Sequence, residues 1–173
     1  MKLYTHLLFS TGLLTLLGTT LTHHFYASLL FSGVVASIGN TLIDRLGHET
    51  RYFSGREVIR RTPLTHTVPR SVMWGVIPAV IITGLYYLTF NQLTPRIIEL
   101  TIISLLNGPS HMLLDAFTER GIYRKVNGKW RRVALAHFRY NDLAVNSLAS
   151  LTGILMLFVA MQLTHPYYYS YYP

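Results

Sequence analysis

The chain contains no cysteine. That excludes disulfides and thiolate metal ligands, and it removes the usual clue to the redox compartment. Charge is scarce as well. Asp, Glu, Lys and Arg make up 13% of the 173 residues, against about 25% in soluble domains. Apolar residues fill the difference at 50%. The little charge present is lopsided, with 15 Lys and Arg against 7 Asp and Glu and a net charge of +8.

Five apolar stretches stand out, at residues 3–21, 25–43, 71–90, 97–117 and 143–163. Each has the length of about 20 residues that a helix needs to cross a hydrocarbon core of about 30 Å. This predicts an all-α integral membrane protein, a single domain of five transmembrane helices in one bundle. The Leu-rich run after Met1 and Lys2 also has the outline of a signal peptide. Its single positive charge and the poor cleavage site at Gly18-Thr19-Thr20-Leu21 favour a span instead.

Every Lys and Arg except Lys2 and Arg96 falls in two loops, residues 44–70 and 118–142. The positive-inside rule then places the N-terminus and both loops in the cytoplasm. The same pattern argues against nucleic acid as the partner of this basic chain and for membrane lipid, anionic lipid in particular. The Tyr-rich tail, residues 167–173, falls outside the cell, as an aromatic anchor at the headgroups or as a disordered end. Ser28, Ser32, Ala36 and Asn40 recur every four residues and predict a close helix contact. Ser104 and Gly108 do the same in the fourth span, where Pro109 predicts a kink. Residues 50–61 are read as a short interfacial helix. There is no internal repeat.

On this topology the His and acidic residues gather at the cytoplasmic ends of the spans. His6 lies in the first turns of the first span. Asp44 and His48 follow the second, His66 precedes the third, and His111 and Asp115 end the fourth. His137 and Asp142 precede the fifth. His111 and Asp115 are four apart and share a helix face. Imidazoles and carboxylates together suit zinc or a similar divalent ion, which could activate water for hydrolysis. Each residue also has a plain reading: a turn residue for His66, a helix cap or Arg45 partner for Asp44, an interfacial residue for His6 and His137, a structural interhelical pair for His111 and Asp115. Their recurrence at one membrane face favours a site. The middles of the spans carry almost no ionisable groups, which argues against a transporter.

Three stretches resemble the YdjM-like family of membrane-bound metal-dependent hydrolases, its small archaeal relatives most of all. They are Thr5-His6-Leu7-Leu8-Phe9-Ser10, Arg61-Thr62-Pro63-Leu64-Thr65-His66-Thr67, and Ser110-His111-Met112-Leu113-Leu114-Asp115 continuing to Thr118 and Gly121. The likeness covers residues 1–123. Two departures accompany it. Of the family's Pro-Asp-x-Asp-His only Asp44 and a displaced His48 are present. Arg61 and Pro63 stand where the family has His and Gly. One or two of the family's metal ligands are therefore absent or moved, and Arg61 becomes a candidate to hold phosphate. The order Asp, His, His-x-x-x-Asp is also similar, more distantly, to all-helical zinc phospholipase C and P1-type nucleases, which implies phosphoester hydrolysis.

The expectation is a membrane-embedded metal-dependent hydrolase acting on a phosphoester, such as a lipid headgroup, at the cytoplasmic leaflet. His6, Asp44, His66, His111 and Asp115 are its expected metal ligands, and His48 and Arg61 its catalytic residues. The main alternative is a non-enzymatic membrane scaffold with a metal-free polar cluster and basic loops that dock a protein partner. A transporter is the third.

Overall fold

The computed structural model describes residues 1–53 and 55–164. The Tyr-rich tail and its expected anchoring lie outside the described residues. The chain runs through α1 (Leu3–Thr22), α2 (Phe25–Gly47), β1 (His48–Phe53), β2 (Arg56–Arg61), α3 (Val68–Phe90), α4 (Pro95–Ile103), a 3-10 turn (Ser104–Leu106), α5 (Asn107–Ala116), β3 (Ile122–Val126), β4 (Lys129–Val133) and α6 (Leu143–Gln162).

Among the described residues, four helical stretches are long and apolar enough to cross a membrane: α2, α3, Pro95–Ala116 and α6. This is compatible with a multi-pass membrane protein. Helix α1 is as long as α6, but His6 and its threonines dilute its apolar character. The fourth stretch is not one helix. Pro109 has no N–H to give the Leu105 carbonyl and its ring crowds that turn. The backbone tightens to 3-10 geometry at Ser104–Leu106 and resumes as α5.

Polarity is arranged inside out. Leu30, Met73, Val80, Leu85, Leu88 and Leu148 are exposed, while Ser28, Asn40, Ser71, Ser104, Asn107 and Asn146 are buried. Soluble monomers rarely expose apolar surface on this scale. In lipid the outer face needs no polar groups, and buried small or amide side chains let helices approach and bond. The crossings follow that logic. A Cβ on Gly12 would overlap the Gly153 backbone where α1 meets α6, and one on Gly108 would overlap the Ser71 backbone where α5 meets α3. The stripe Ser28, Ser32, Ala36 and Asn40 is buried throughout. An apolar core of Leu14, Phe31, Val35, Ala79, Ile97, Leu100 and Ile103 fills part of the interior.

At the end of the bundle where α2 and α5 finish, two antiparallel hairpins extend the helices. The first pairs His48 with Arg61 and Phe53 with Arg56. It corrects the expectation of an interfacial helix at 50–61. Gly55 adopts φ +75° in the turn, and Thr, Tyr, Phe, Val and Ile in the flanks favour extended backbone. The second pairs Ile122 with Val133 around Asn127 and Gly128, both at positive φ, as a tight hairpin turn requires. The hairpins meet through Tyr123, whose N–H donates to the His66 carbonyl and whose hydroxyl donates to the Arg61 carbonyl.

Candidate metal centre

Five polar side chains from four parts of the chain converge at this end. His6 comes from the first turns of α1 and Asp44 from the last turn of α2. His66 sits in the turn between β2 and α3, and His111 and Asp115 lie one turn apart on α5. All are buried except Asp44, whose carboxylate is 17% exposed. Residues distant in sequence meet because α2 stops where it does. A Cβ on Gly47 would overlap the Thr65 hydroxyl and the His66 ring, so only glycine leaves room for the imidazole.

The separations fit a cation. His111 Nε2 lies 3.3 Å from Asp115 Oδ2 and 3.4 Å from Asp44 Oδ1. His66 Nε2 lies 3.5 Å from Asp115 Oδ2 and 3.8 Å from Asp44 Oδ1. Most N–H···O hydrogen bonds are shorter, about 2.7–3.2 Å. An ion with bonds of about 2.0–2.1 Å in tetrahedral geometry separates its ligand atoms by about 3.4 Å. Nε2 of His66, Nε2 of His111 and Oδ2 of Asp115 are buried and make no hydrogen bond among the described residues. Buried polar atoms without partners are rare and call for an unseen ion or water. Asp44, His66 and His111 form one group able to hold an ion, and His6, His111 and Asp115 form another.

The far side of each ring is set for the same purpose. Thr65 donates its hydroxyl proton to the Ile43 carbonyl at 2.7 Å, so it accepts from His66 Nδ1 at 2.9 Å. For His111 the orienting group is Asn40, whose Oδ1 is 2.8 Å from Nδ1. The Asn40 amide nitrogen donates to the Ala36 carbonyl and to Asn107 Oδ1. Asn107 in turn donates to the Val35 and Gly75 carbonyls. With every amide orientation fixed, the oxygen of Asn40 faces His111, and Nδ1 carries the proton. Both Nε2 atoms therefore present a lone pair to the cluster, the state a metal ligand needs. Burial also holds the His66 imidazole below its ordinary pKa, which keeps the ring neutral.

Asp115 divides its two oxygens. Oδ2 faces His66 and His111. Oδ1 accepts from Arg61 Nη2 at 2.6 Å, lies 2.8 Å from the Met1 nitrogen and 3.2 Å from His6 Nε2. Arg61, the expected phosphate-holding residue, donates from Nη1 to Thr118 Oγ1 and the Gly121 carbonyl, and its Nη2 contact orients Asp115. His6 stacks on His111 with ring centroids 3.8 Å apart, and neither of its nitrogens makes a hydrogen bond among the described residues. His48 stands at the open side, its Nδ1 4.0 Å from Asp44 Oδ1 and its side chain 28% exposed. Burial lowers its pKa, with Asp44 opposing.

Two residues expected at this face stay out of the cluster. His137 is exposed, and Asp142 caps α6 by accepting from the Val145 N–H. Sequence reasoning missed Asn107 altogether and took Asn40 for a packing residue. The available signal was an amide in the middle of an apolar span, which is expensive there unless it bonds to something.

No curated protein and no solved structure matches the chain. One family model does, over residues 1–114, a stretch that holds His6, Asp44, His66 and His111 and ends one residue before Asp115. The chain belongs to that family, described as protein of unknown function (DUF1286).

Proposed function

We propose that this chain is a multi-pass membrane protein that binds a divalent ion, zinc in the favoured reading, and hydrolyses a phosphoester at the cytoplasmic leaflet. One observation carries it: buried imidazole and carboxylate atoms, without hydrogen-bond partners among the described residues, lie 3.3 and 3.5 Å apart, the separation of neighbouring ligand atoms on one ion. Imidazole nitrogens and carboxylate oxygens without sulfur suit zinc or manganese. His111 belongs to both groups able to hold the ion, with Asp44 and His66 in one and with His6 and Asp115 in the other. Asp44, the partly exposed carboxylate of the five, is either a ligand or the side from which substrate enters. A zinc site closed by four protein ligands is structural, and one that keeps a position open is catalytic. When bound, such an ion lowers the pKa of its water to about 7. His48, neutral and beside Asp44, is the group able to accept a proton at the open side. Arg61 holds Asp115 in place. The resemblance to YdjM-like hydrolases and the basic loops support the same reading, with the N-terminus and both hairpins in the cytoplasm.

The scaffold reading rests on a different observation. The Arg61–Asp115 pair and the amide chain from Asn107 to His111 tie α2, α5 and the first hairpin together without any ion.

Elemental analysis of detergent-purified protein separates the two. Near-stoichiometric zinc or manganese, lost in His111→Ala and in Asp115→Asn while membrane insertion persists, supports the metal reading. Unchanged metal content in both variants, or a metal-free protein of full thermal stability, overturns it. Zinc-dependent release of phosphate from phospholipid vesicles tests the reaction itself.

A further inference from the structure

Beside the cluster lies a groove that the chemistry above does not use. Its cavity is about 420 Å³, within the range of about 300–1,000 Å³ that suits an organic ligand. Val68 and Pro69 at the start of α3 form one wall, and Ile122, Val133 and Trp130 of the second hairpin form the other. The lining is almost wholly apolar, yet Arg70, Arg124 and Lys125 border it and, among the described residues, no acidic residue does.

The hairpin adds a second, independent observation. Arg124 is paired directly opposite Arg131, and like charges directly opposite on neighbouring strands destabilise the pair. Neither strand has an acid: β3 reads Ile-Tyr-Arg-Lys-Val and β4 Lys-Trp-Arg-Arg-Val. Every residue of β4 is exposed, as are Arg124 and Lys125. Such a hairpin is relieved by an external anion. The groove beneath it asks for an apolar chain. The molecule that supplies both is an anionic phospholipid. Trp130, bordering the groove with Lys125 over its ring at 5.9 Å, is the residue type that settles between acyl and headgroup layers.

We propose that the groove between α3 and the second hairpin binds an anionic phospholipid, acyl chain inward, with its phosphate against Arg70, Arg124 and Lys125, the basic residues that border it. The proposal rests on the membrane reading above and not on the metal. The groove adjoins the cluster directly, because Thr67 lines it next to His66 and the Tyr123 N–H bonds the His66 carbonyl.

The chain has only two tryptophans, Trp74 and Trp130, which makes the test direct. The Trp74→Phe variant, with Trp130 as sole reporter, is reconstituted in vesicles containing dibrominated phosphatidylglycerol or dibrominated phosphatidylcholine at equal mole fraction. The anionic quencher is expected to be more effective by about twofold or more. The preference should persist in chelator-treated protein and vanish in Arg124→Gln/Lys125→Gln, a change at two exposed hairpin residues that leaves the apolar lining in place. Equal quenching by the two lipids, or a preference unaltered in the double variant, overturns the proposal. Loss of the preference on chelation overturns it as well, since the site would then depend on the metal.

Discussion

His111 donates from Nδ1 to the side-chain oxygen of Asn40 at 2.8 Å. That bond crosses from α5 to α2 and decides which nitrogen of the imidazole meets the cluster. Replacing Asn40 with Ala frees the ring to take either tautomer and to rotate. Losing such an orienting partner typically costs 10–100-fold in metal affinity. Asn40→Ala is therefore expected to weaken zinc binding by about that factor in a chelator competition. Thermal stability should fall little, because interhelical hydrogen bonds in membranes average only about 0.6 kcal/mol. A large drop in melting temperature with unchanged zinc affinity would mark Asn40 as a packing residue only.

Gly47 is the second lever. Alanine is the better helix former by about 1 kcal/mol, so on propensity alone Gly47→Ala should strengthen the end of α2. Its new Cβ would overlap Thr65 Oγ1 and the His66 ring, and forcing an extra carbon into a packed site costs typically 1–3 kcal/mol. The expected result is a lower melting temperature and weaker zinc binding, as His66 is displaced. Zinc affinity equal to that of the parent would show that His66 is not a ligand.

How much of this was legible in the chain depended on whether the signal was local. His111 and Asp115 are four apart on one helix, so their shared face follows from helix geometry alone. The gathering of His6, Asp44 and His66 with them followed from where the apolar spans begin and end. The hairpins are less legible. The mixed composition of residues 50–61 suits an interfacial helix as well as a hairpin, and Gly55 alone marks the turn. Asn127-Gly128 between Val126 and Lys129 is the stronger hairpin signal. What no local pattern could reveal is the pairing across the bundle. Arg61 bonds Asp115, Thr65 orients His66, and Asn107 orients Asn40, all through contacts between residues more than twenty apart in sequence or set by tertiary placement. Asp142, by contrast, looked like a site residue and is a helix cap.

Sidedness is open to a direct measurement, since the chain has no cysteine of its own. Thr50 is exposed on the first hairpin. Thr50→Cys is expected to resist an impermeant thiol reagent in intact cells and to react once the membrane is opened. A cysteine at Asn91, exposed beyond the other end of α3, should react without opening. The reverse pattern would invert the orientation and move the cluster to the outer face.

Arg61 distinguishes an ion site from a structural ion pair. It is buried and bonds Asp115 Oδ1, Thr118 Oγ1 and the Gly121 carbonyl. Removing one member of a buried charge pair typically costs 3–5 kcal/mol, because the other charge is left without compensation. In Arg61→Ala, Asp115 loses its guanidinium partner and keeps the Met1 nitrogen, 2.8 Å from Oδ1, so its charge is less fully compensated. A divalent cation at the cluster would compensate that carboxylate through Oδ2, which lies 3.3 Å from His111 Nε2 and 3.5 Å from His66 Nε2. The two readings then differ in sign of interaction. If the cluster binds metal, added zinc raises the melting temperature of Arg61→Ala by more than it raises that of the parent, and chelation destabilises the variant more. If Arg61 and Asp115 are only a structural pair, the variant is destabilised equally with and without zinc. Melting curves of parent and variant, each with zinc and with chelator, give the four values needed. The difference of differences is the quantity to read, since it cancels the lost bonds to Thr118 and Gly121 that both conditions share.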